Sequence, residues 1–383
     1  MNPNAIRVCL QTRHINARGG LEKWARLIAN GFAKKGADVH ILTSDVLEQK
    51  GFHPSIKPHT LSPTKLFSYR QMKGFDALCK KWNKDHTSDI VFGIDRTSEQ
   101  THIRAGNGVH ASFLEKRKEF EGYSSIKELL NPLNRTILDI EKKAFENPHL
   151  KVLFTNSHMV KNEILKYYQV PSDKIEVIHN GLEWKEMGED HAIWVEKKPK
   201  IAAKLGLDPS LFHFLFIGNG YKRKGLPLLL KALKLLHPSD FHLSVVGKDR
   251  NIHSFISLAQ KLGLSNHVSF FGPCQNVRPF YQVADCLTIP SIYDPFANVT
   301  IEALGMGLFV VSSTHNGGYE VLKEETGTAI KELSSLDAIK EALQFAMRFP
   351  KTWIRSQIIR KSVEHLDLSN QLTSMIDISL ENR

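Results

Sequence analysis

Cysteine is scarce in this chain, and long apolar runs are absent. Only four cysteines occur among 383 residues, and none has the Cys-x-x-Cys spacing of a zinc or redox site. No stretch approaches the roughly 20 consecutive apolar residues of a membrane-spanning helix. The opening residues, MNPNAIRVCLQTRH, lack a basic segment followed by an apolar one. We therefore expect reduced thiols, no transmembrane span, no signal peptide and a cytoplasmic location.

Positive charge, in contrast, is in excess. The chain has 51 Lys and Arg against 40 Asp and Glu, a net charge of +11. Such an excess predicts an anionic partner, and nucleic acid, phosphorylated metabolites and an acidic membrane face all qualify. Residues 71–86 and 113–130 place lysines among apolar residues at helical spacing. A helix of this kind can lie on anionic lipid, although most amphipathic helices are ordinary surface helices.

Short β-branched runs alternate with helical patterns along the whole chain. This alternation predicts mostly parallel sheets that are covered on both faces. In the first half we predict strands at 6–10, 38–44, 90–94, 102–106, 151–157 and 174–181, and helices that include 20–35 and 158–168. In the second half we predict strands at 212–220, 241–247, 267–272, 286–291 and 309–313, with helices at 225–236, 254–263, 277–284, 298–306 and 318–324.

A charged stretch at 181–200 interrupts this order and is interpreted as a linker. The predicted fold class is α/β, with two Rossmann-like doubly wound domains facing each other across a cleft. Ligands of such domains bind at the carboxyl ends of the strands. The predicted domains are residues 1–182 and 183–363. A final helix at 364–383 packs on the second domain or returns to the first.

The first candidate site is NARGGLEKWARLI (16–28), in which Gly19 and Gly20 follow the first strand and open a helix. Glycines at this place let backbone amides approach an anion at the positive end of the helix dipole. The pair departs from the GxGxxG dinucleotide fingerprint. A turn that needs glycine only for its geometry explains the pair equally well.

The second candidate site is IGNGYKRKG (217–225), where a strand ends and a loop presents Arg223 and Lys224 before a helix. Two fixed cations at such a turn are well placed to neutralise a diphosphate, because arginine offers a planar fork and lysine a point charge. An ordinary solvated basic turn has the same composition. The neighbouring residues must decide between the two interpretations.

The third candidate site is DPFANVTIEALGMG (294–307), with Asp294 before a predicted helix and Glu302 in its predicted first turn. We expect unpaired amides that bind an anion at the start of this helix. They belong to Phe296, Ala297, Asn298 and Val299. The helix dipole would account for Glu302 without any ligand, but it leaves Asp294 and the glycines at 317 and 318 unexplained.

The second and third segments, together with VVGKDR (245–250), VSFFG (268–272) and the rest of 280–321, resemble the C-terminal domain of retaining glycosyltransferase family 4 enzymes, which have the GT-B fold of two Rossmann-like domains. The stretch FTNSHMVKNEILKYYQVPSDKIEVIHNG (154–181) resembles the segment that closes their N-terminal domain. Within the family, RAGNGVHASFLEKR (104–117) and YDPFANVTIEA look most similar to lipopolysaccharide core glucosyltransferases. The likeness extends over nearly the whole chain.

The resemblance implies a role for each matching residue. Arg223 and Lys224 would hold the diphosphate of a nucleotide sugar, and Glu302, the second acid of the family's E-x7-E pair, would hold the ribose. Asp294 stands where the first glutamate usually stands. The amides of Phe296 to Val299 would meet the phosphate or the sugar, and Gly19 and Gly20 would line the same phosphates. Asn107 stands where relatives often have aspartate, with His110 three residues later.

The resemblance also implies the chemistry and the partners. A hexose, glucose in the first instance, would pass with retention from a UDP-sugar to a glycan or lipopolysaccharide core acceptor. No metal is implied, and the chain has no Asp-x-Asp pair, which the metal-dependent, single-domain glycosyltransferases use. We do not expect nucleic acid as a partner. We do expect peripheral contact with the anionic inner face of the membrane.

Three other interpretations remain open at this stage. A basic Rossmann-like protein could bind nucleic acid without catalysis, although its cations would then be interleaved with aromatic residues along a groove. The family fold could also persist with a different donor or acceptor, or without activity, because Asn107 and Asp294 depart from relatives. A nucleotide-sugar epimerase or a phosphorylase would share the two-domain plan.

Overall fold

The computed structural model describes residues 5–16, 19–48, 50–63, 67–237 and 240–383. The chain divides into two compact units, one formed by Met1–His179 with Ser369–Arg383 and the other by Asn180–Leu368. The boundaries predicted after residues 182 and 363 lie within a few residues of these junctions. Of the C-terminal segment 364–383, for which the sequence left two places open, Ser369–Arg383 belong to the first unit.

The first unit contains, within its described residues, a seven-stranded sheet whose neighbouring strands all pair in parallel. Its order is β3-β2-β1-β4-β5-β6-β7. The strands are β1 (Arg7–Gln11), β2 (Asp38–Thr43), β3 (Lys57–Thr60), β4 (Ile90–Gly93), β5 (His102–Arg104), β6 (Val152–Thr155) and β7 (Ile175–Val177). The helices are α1 (Gly20–Lys34), α2 (Ser68–Asp85), α3 (His110–Glu121), α4 (Ser125–Leu130), α5 (Pro132–Phe145), α6 (His158–Tyr167) and α15 (Leu368–Glu381).

The second unit contains, in the described part of the chain, a six-stranded parallel sheet of order β10-β9-β8-β11-β12-β13. Its strands are β8 (Phe212–Ile217), β9 (Phe241–Val246), β10 (Val268–Gly272), β11 (Cys286–Ile289), β12 (Phe309–Ser313) and β13 (Gly327–Ile330). Its helices are α7 (Trp184–Ala192), α8 (Trp194–Leu205), α9 (Leu226–Leu233), α10 (Ile252–Lys261), α11 (Arg278–Val283), α12 (Asn298–Gly305), α13 (Leu336–Met347) and α14 (Trp353–Lys361).

Burial follows the pattern expected for doubly wound sheets. Every residue of β8 and of β9 is buried, because helices cover both faces of a central parallel strand. On α1 the buried Trp24, Ile28 and Phe32 recur every four residues and form one face. The predicted α/β class with two Rossmann-like domains is therefore confirmed.

The predicted linker at 181–200 is wrong, because these residues form α7 and most of α8 inside the second unit. Met187, His191 and Trp194 recur at helical spacing among the charges, and all three are buried.

A second correction concerns 113–130, which is not one helix. Gly122 adopts the left-handed conformation, with a φ of 67°, and ends α3 before α4 begins.

Two strands were not predicted, and one predicted helix is shorter than expected. β3 is an edge strand without an apolar pattern, and β13 begins with glycine, so neither carries the usual strand signal. The predicted helix at 318–324 is a single 3-10 turn, Gly317–Val321. The chain returns to extended backbone at Leu322.

The four cysteines are free thiols, as predicted. Cys9, Cys79 and Cys286 are buried, and burial raises the pKa of the Cys9 thiol to about 12. These thiols therefore pack as small apolar groups and are not suited to act as nucleophiles.

Among the helices of the described ranges, none has the length and apolar content that crossing a membrane requires.

Candidate functional site

The loop between β8 and α9 presents the two predicted cations of the second unit. Gly220 and Gly225 adopt left-handed conformations, with φ of 71° and 81°. A Cβ on Gly225 would lie 1.8 Å from the carbonyl oxygen of Pro290, so only glycine allows this close approach. The contact holds the loop against the end of β11, where the amide of Ile292 donates to the carbonyl of Arg223 at 2.9 Å.

Arg223 and Lys224 converge on one carboxylate oxygen. Oδ2 of Asp294 accepts from Nη1 of Arg223 at 2.8 Å and from Nζ of Lys224 at 2.5 Å. The side chain of Arg223 is 35% exposed, whereas those of Lys224 and Asp294 are each 9% exposed. The two cations therefore face a single position that suits an anion, and the carboxylate of Asp294 occupies it here. We call this the anionic position; its Arg223 side is partly exposed.

The same charges set the ionisation of this group. Burial alone raises the pKa of Asp294, but Lys224 and Arg223 outweigh it and hold the pKa below its usual range. Burial lowers the pKa of Lys224, and the charge of Asp294 opposes this. Because the pKa of Asp294 is lower when folded than when unfolded, the ion pair contributes stability at neutral pH. That stability is lost as the pH falls below about 4.

The loop that carries Asp294 is fixed by its backbone and by a buried asparagine. The amide of Asp294 donates to the carbonyl of His315 at 2.8 Å, and the amide of Gly317 donates to the carbonyl of Asp294 at 3.0 Å. Oδ1 of the fully buried Asn316 accepts from the amides of Ala297 and Gly318. Asn316 was not predicted, although an asparagine before two glycines is a known turn signal.

The start of α12 corrects one prediction. The amide of Ala297 donates to Asn316 at 2.8 Å and is therefore not free for an anion. Within the described residues, the amides of Asn298 and Val299 have no protein acceptor. The side chains of Phe296 and Ala297 are buried. Of the four predicted amides, that of Ala297 is therefore taken, and those of Asn298 and Val299 are open at the positive end of the helix.

Glu302 corrects another prediction. α12 begins at Asn298, so Glu302 lies in the second turn and not in the first. The dipole effect is largely confined to the first turn, and a dipole alone therefore does not account for this acid. Oε2 of Glu302 accepts from the hydroxyl of Tyr281 at 2.8 Å. Burial raises the pKa of Tyr281 well above its usual value, so this hydroxyl stays protonated and donates.

The remaining predicted residues belong to the first unit and follow the carboxyl ends of its strands. Gly19 is the N-cap of α1, and Gly20 is the first residue of that helix. Residues 17 and 18 of the same motif lie outside the described residues. After β5, Asn107 is exposed, and His110, which is buried, begins α3.

Two comparisons of sequence identify the family. Residues 18–184 match the family described as Glycosyltransferase Family 4, and residues 197–361 match Glycosyl transferases group 1. The chain is 30% identical over 176 residues to the uncharacterized glycosyltransferase MJ1607 of Methanocaldococcus jannaschii, a match that spans only 45% of either chain. It is 24% identical over 335 residues, 86% of each chain, to the lipopolysaccharide glucosyltransferase WaaG of Escherichia coli.

Solved structures share the fold over almost the full length. A crystal structure of WaaG, a glycosyltransferase involved in lipopolysaccharide biosynthesis, covers 97% of this chain and 99% of its own, at 21% identity and a TM-score of 0.78. Anabaena HepE in complex with UDP-glucose covers 99% of this chain and 100% of its own, at 15% identity and a TM-score of 0.66. These structures show that the chain shares the GT-B fold, and the two family models, which together span most of the chain, show that it belongs to the glycosyltransferases, with a Family 4 segment followed by a group 1 segment.

Proposed function

We propose that the protein transfers a hexose, glucose in the first instance, from a UDP-sugar to a glycan acceptor of the lipopolysaccharide core type. The observation that carries this proposal is the convergence of Arg223 and Lys224 on one anionic position. Two open amides begin α12 in the same unit, a few residues after Asp294. A diphosphate is the ligand group that such a set of donors would bind best.

The chemistry follows from where charge develops. Breaking the anomeric C–O bond places negative charge on the departing diphosphate and positive charge on the sugar. Fixed cations and oriented amides that face this charge lower the barrier. We infer that Arg223 and Lys224 supply this stabilisation without a metal ion. In line with the family resemblance, we infer retention of the anomeric configuration, with the leaving phosphate accepting the proton of the acceptor hydroxyl.

Glu302 is proposed to bind the ribose of the nucleotide. A carboxylate can accept hydrogen bonds from two vicinal hydroxyls. The hydroxyl of Tyr281 already donates to Oε2 and would fix the orientation of the group before the nucleotide arrives. Asp294 is proposed to leave the two cations, wholly or in part, when the diphosphate binds, and to accept from a sugar hydroxyl instead.

The identities of donor and acceptor rest on the relatives. WaaG is named a lipopolysaccharide glucosyltransferase, and HepE was solved with UDP-glucose. The first name favours a glucosyl donor and a lipopolysaccharide acceptor, and the second favours UDP-glucose as that donor. The two motifs that resemble core glucosyltransferases, 104–117 and 293–303, support the same choice.

Nucleotide binding tests the donor proposal. We expect UDP to raise the melting temperature more than GDP or ADP does, because a ligand that binds only the folded state adds about 2.7 kcal/mol at 100 times its Kd. Calorimetric titration should rank the three nucleotides in the same order. Transfer and hydrolysis assays with UDP-, GDP- and ADP-sugars in buffer containing EDTA should then show turnover of UDP-glucose. Equal binding of all three nucleotides, or binding of none, would contradict the assignment.

Peripheral membrane contact is proposed for the basic face of α2. Of the apolar residues of this helix, Phe75, Cys79 and Trp82 are buried in the protein and are not available to lipid, and Leu78 is half-buried. Lys73, Lys81 and Lys84 remain exposed. The contact would therefore be electrostatic, through anionic headgroups, rather than insertion of an apolar stripe.

Vesicle binding checks this contact. We expect the protein to sediment with vesicles containing phosphatidylglycerol but not with phosphatidylcholine alone, and to be released by high salt. A triple substitution of Lys73, Lys81 and Lys84 to glutamine should weaken binding, because each lysine near an anionic surface contributes about 1 kcal/mol. Replacing the exposed Lys231 of α9 and Lys234, the C-cap of that helix, with glutamine serves as the control. Equal loss in both variants would refute a specific role for α2.

A further inference from the structure

A chain of three hydrogen-bonded side chains runs through the first unit and ends at His110. Nε2 of His110 lies 3.0 Å from Oδ1 of Asn134, on α5. Nδ2 of Asn134 donates to Oε2 of Glu128, on α4, at 2.5 Å and to the carbonyl of Glu128 at 3.1 Å. His110 and Asn134 are each 7% exposed.

The direction of this chain is set by its last member. An ionised carboxylate and a carbonyl can only accept, so the amide nitrogen of Asn134 must face Glu128. The amide oxygen of Asn134 therefore faces His110 and also accepts. It follows that Nε2 of His110 carries the hydrogen, and that Nδ1 of the neutral ring carries the lone pair.

Charged groups on the other elements around His110 are already paired. Oε2 of Glu141, on α5, accepts from the backbone amide of His110 at 3.0 Å, and Oε1 accepts from Nε of Arg96 at 3.0 Å. Tyr168 also donates to Glu141. On the other side, Arg117 of α3 lies 3.3 Å from Oε1 of Glu128. Burial lowers the pKa of His110, opposed by Glu141 and Glu128 and assisted by Arg96, so the ring is neutral at pH 7.

The second ring nitrogen of His110, Nδ1, is available to a ligand, whereas Nε2 is already paired with Asn134. In the described part of the chain Nδ1 of His110 has no protein partner, and this atom is not fully buried. His110 begins α3 after the loop that follows β5, at the carboxyl edge of a parallel sheet. Ligands of doubly wound sheets bind at this edge.

We propose that Asn134 and Glu128 are positioning residues that hold His110 in the Nε2-protonated tautomer, so that Nδ1 accepts a hydrogen bond from a substrate hydroxyl. This inference rests on the proposed function, in which a sugar is the substrate, and on the rule that ligands of doubly wound sheets bind at the carboxyl edge. Protonation of His110 would remove the acceptor, and loss of Asn134 would allow the opposite tautomer.

The test uses nitrogen NMR of protein labelled with 15N-histidine, without substrate. We expect the wild type to show the Nε2-protonated tautomer of His110, and Asn134→Leu to show a mixture. In the Asn134→Asp, Glu128→Gln double variant the negative charge moves one step closer to His110 at constant net charge. We expect the pKa of His110 to rise by about one unit or more, and the acid limb of the transfer rate against pH to move with it.

Asn131→Asp is the matched control, because it adds a charge at the exposed N-cap of the same helix, where aspartate is well tolerated. It should leave both the tautomer and the pH profile unchanged. An Nδ1-protonated His110 in the wild type, or a pKa that the double variant does not raise, would overturn the proposal. Failure of UDP to bind would instead overturn the proposed function and leave the tautomer assignment standing.

Discussion

Replacing Lys224 with alanine is expected to lower kcat for sugar transfer by at least about a hundredfold, the loss typical of removing one preorganised group that stabilises charge in a transition state. The ammonium of Lys224 is almost fully buried and points at the anionic position also reached by Arg223. Water cannot easily replace a buried cation that is held in place by its surroundings. Steady-state kinetics with UDP-glucose and a circular dichroism spectrum measure the loss of activity and the retention of fold.

The neighbouring Lys222 provides the control for this prediction. It lies in the same loop, but it is exposed. Lys222→Ala should therefore retain most of the activity of the wild type. If Lys224→Ala keeps full activity, or if the two variants lose activity equally, Lys224 does not have the proposed role at the diphosphate.

Replacing Asp294 with asparagine is expected to destabilise the ligand-free protein and to increase the stabilisation that UDP provides. The substitution leaves Lys224 buried without its counter-charge, and breaking a buried ion pair in this way typically costs about 3 kcal/mol. A bound diphosphate restores negative charge at the same position. In the wild type, by contrast, UDP must compete with Asp294 for the two cations. Thermal unfolding of both proteins with and without UDP measures the difference.

Asp294→Glu separates charge from geometry. It retains the negative charge and adds one methylene. We expect the stability of the ligand-free protein to remain close to that of the wild type. A smaller UDP-induced shift in Asp294→Asn than in the wild type would contradict competition between Asp294 and the diphosphate. It would indicate that Asp294 helps to hold the cations for the ligand.

Local patterns were sufficient to predict the central strands and the cationic loop. β8 and β9 are short, mostly apolar runs, interrupted only by His213 in β8 and by His242 and Ser244 in β9, and turn residues bound them, so their class and position follow from sequence. The loop carrying Arg223 and Lys224 lies between a strand and a helix that are both strongly patterned. The edge strand β3 and the helix α7 lack such patterns, because exposed or charged residues interrupt their apolar positions.

Contacts between distant residues could not be predicted in the same way. Tyr281 and Glu302 lie 21 residues apart, and Asn134 lies 24 residues from His110, on a different helix. No spacing rule joins such pairs, since their contact depends on how helices pack on a sheet. The pairing of Asp294 with both cations was missed for this reason. The sequence indicated anion binding by the cations and sugar binding by the acid, but not that the acid occupies the anionic position in the ligand-free protein.

The central claim is that the two cations bind the diphosphate of the donor, and a crystal structure with UDP tests it directly. We expect phosphate oxygens within hydrogen-bonding distance of the guanidinium of Arg223 and the ammonium of Lys224, and the carboxylate of Asp294 displaced from at least one of them. The open amides of Asn298 and Val299 should face the same phosphates. UDP bound elsewhere, with the ion pairs to Asp294 intact, would contradict the account.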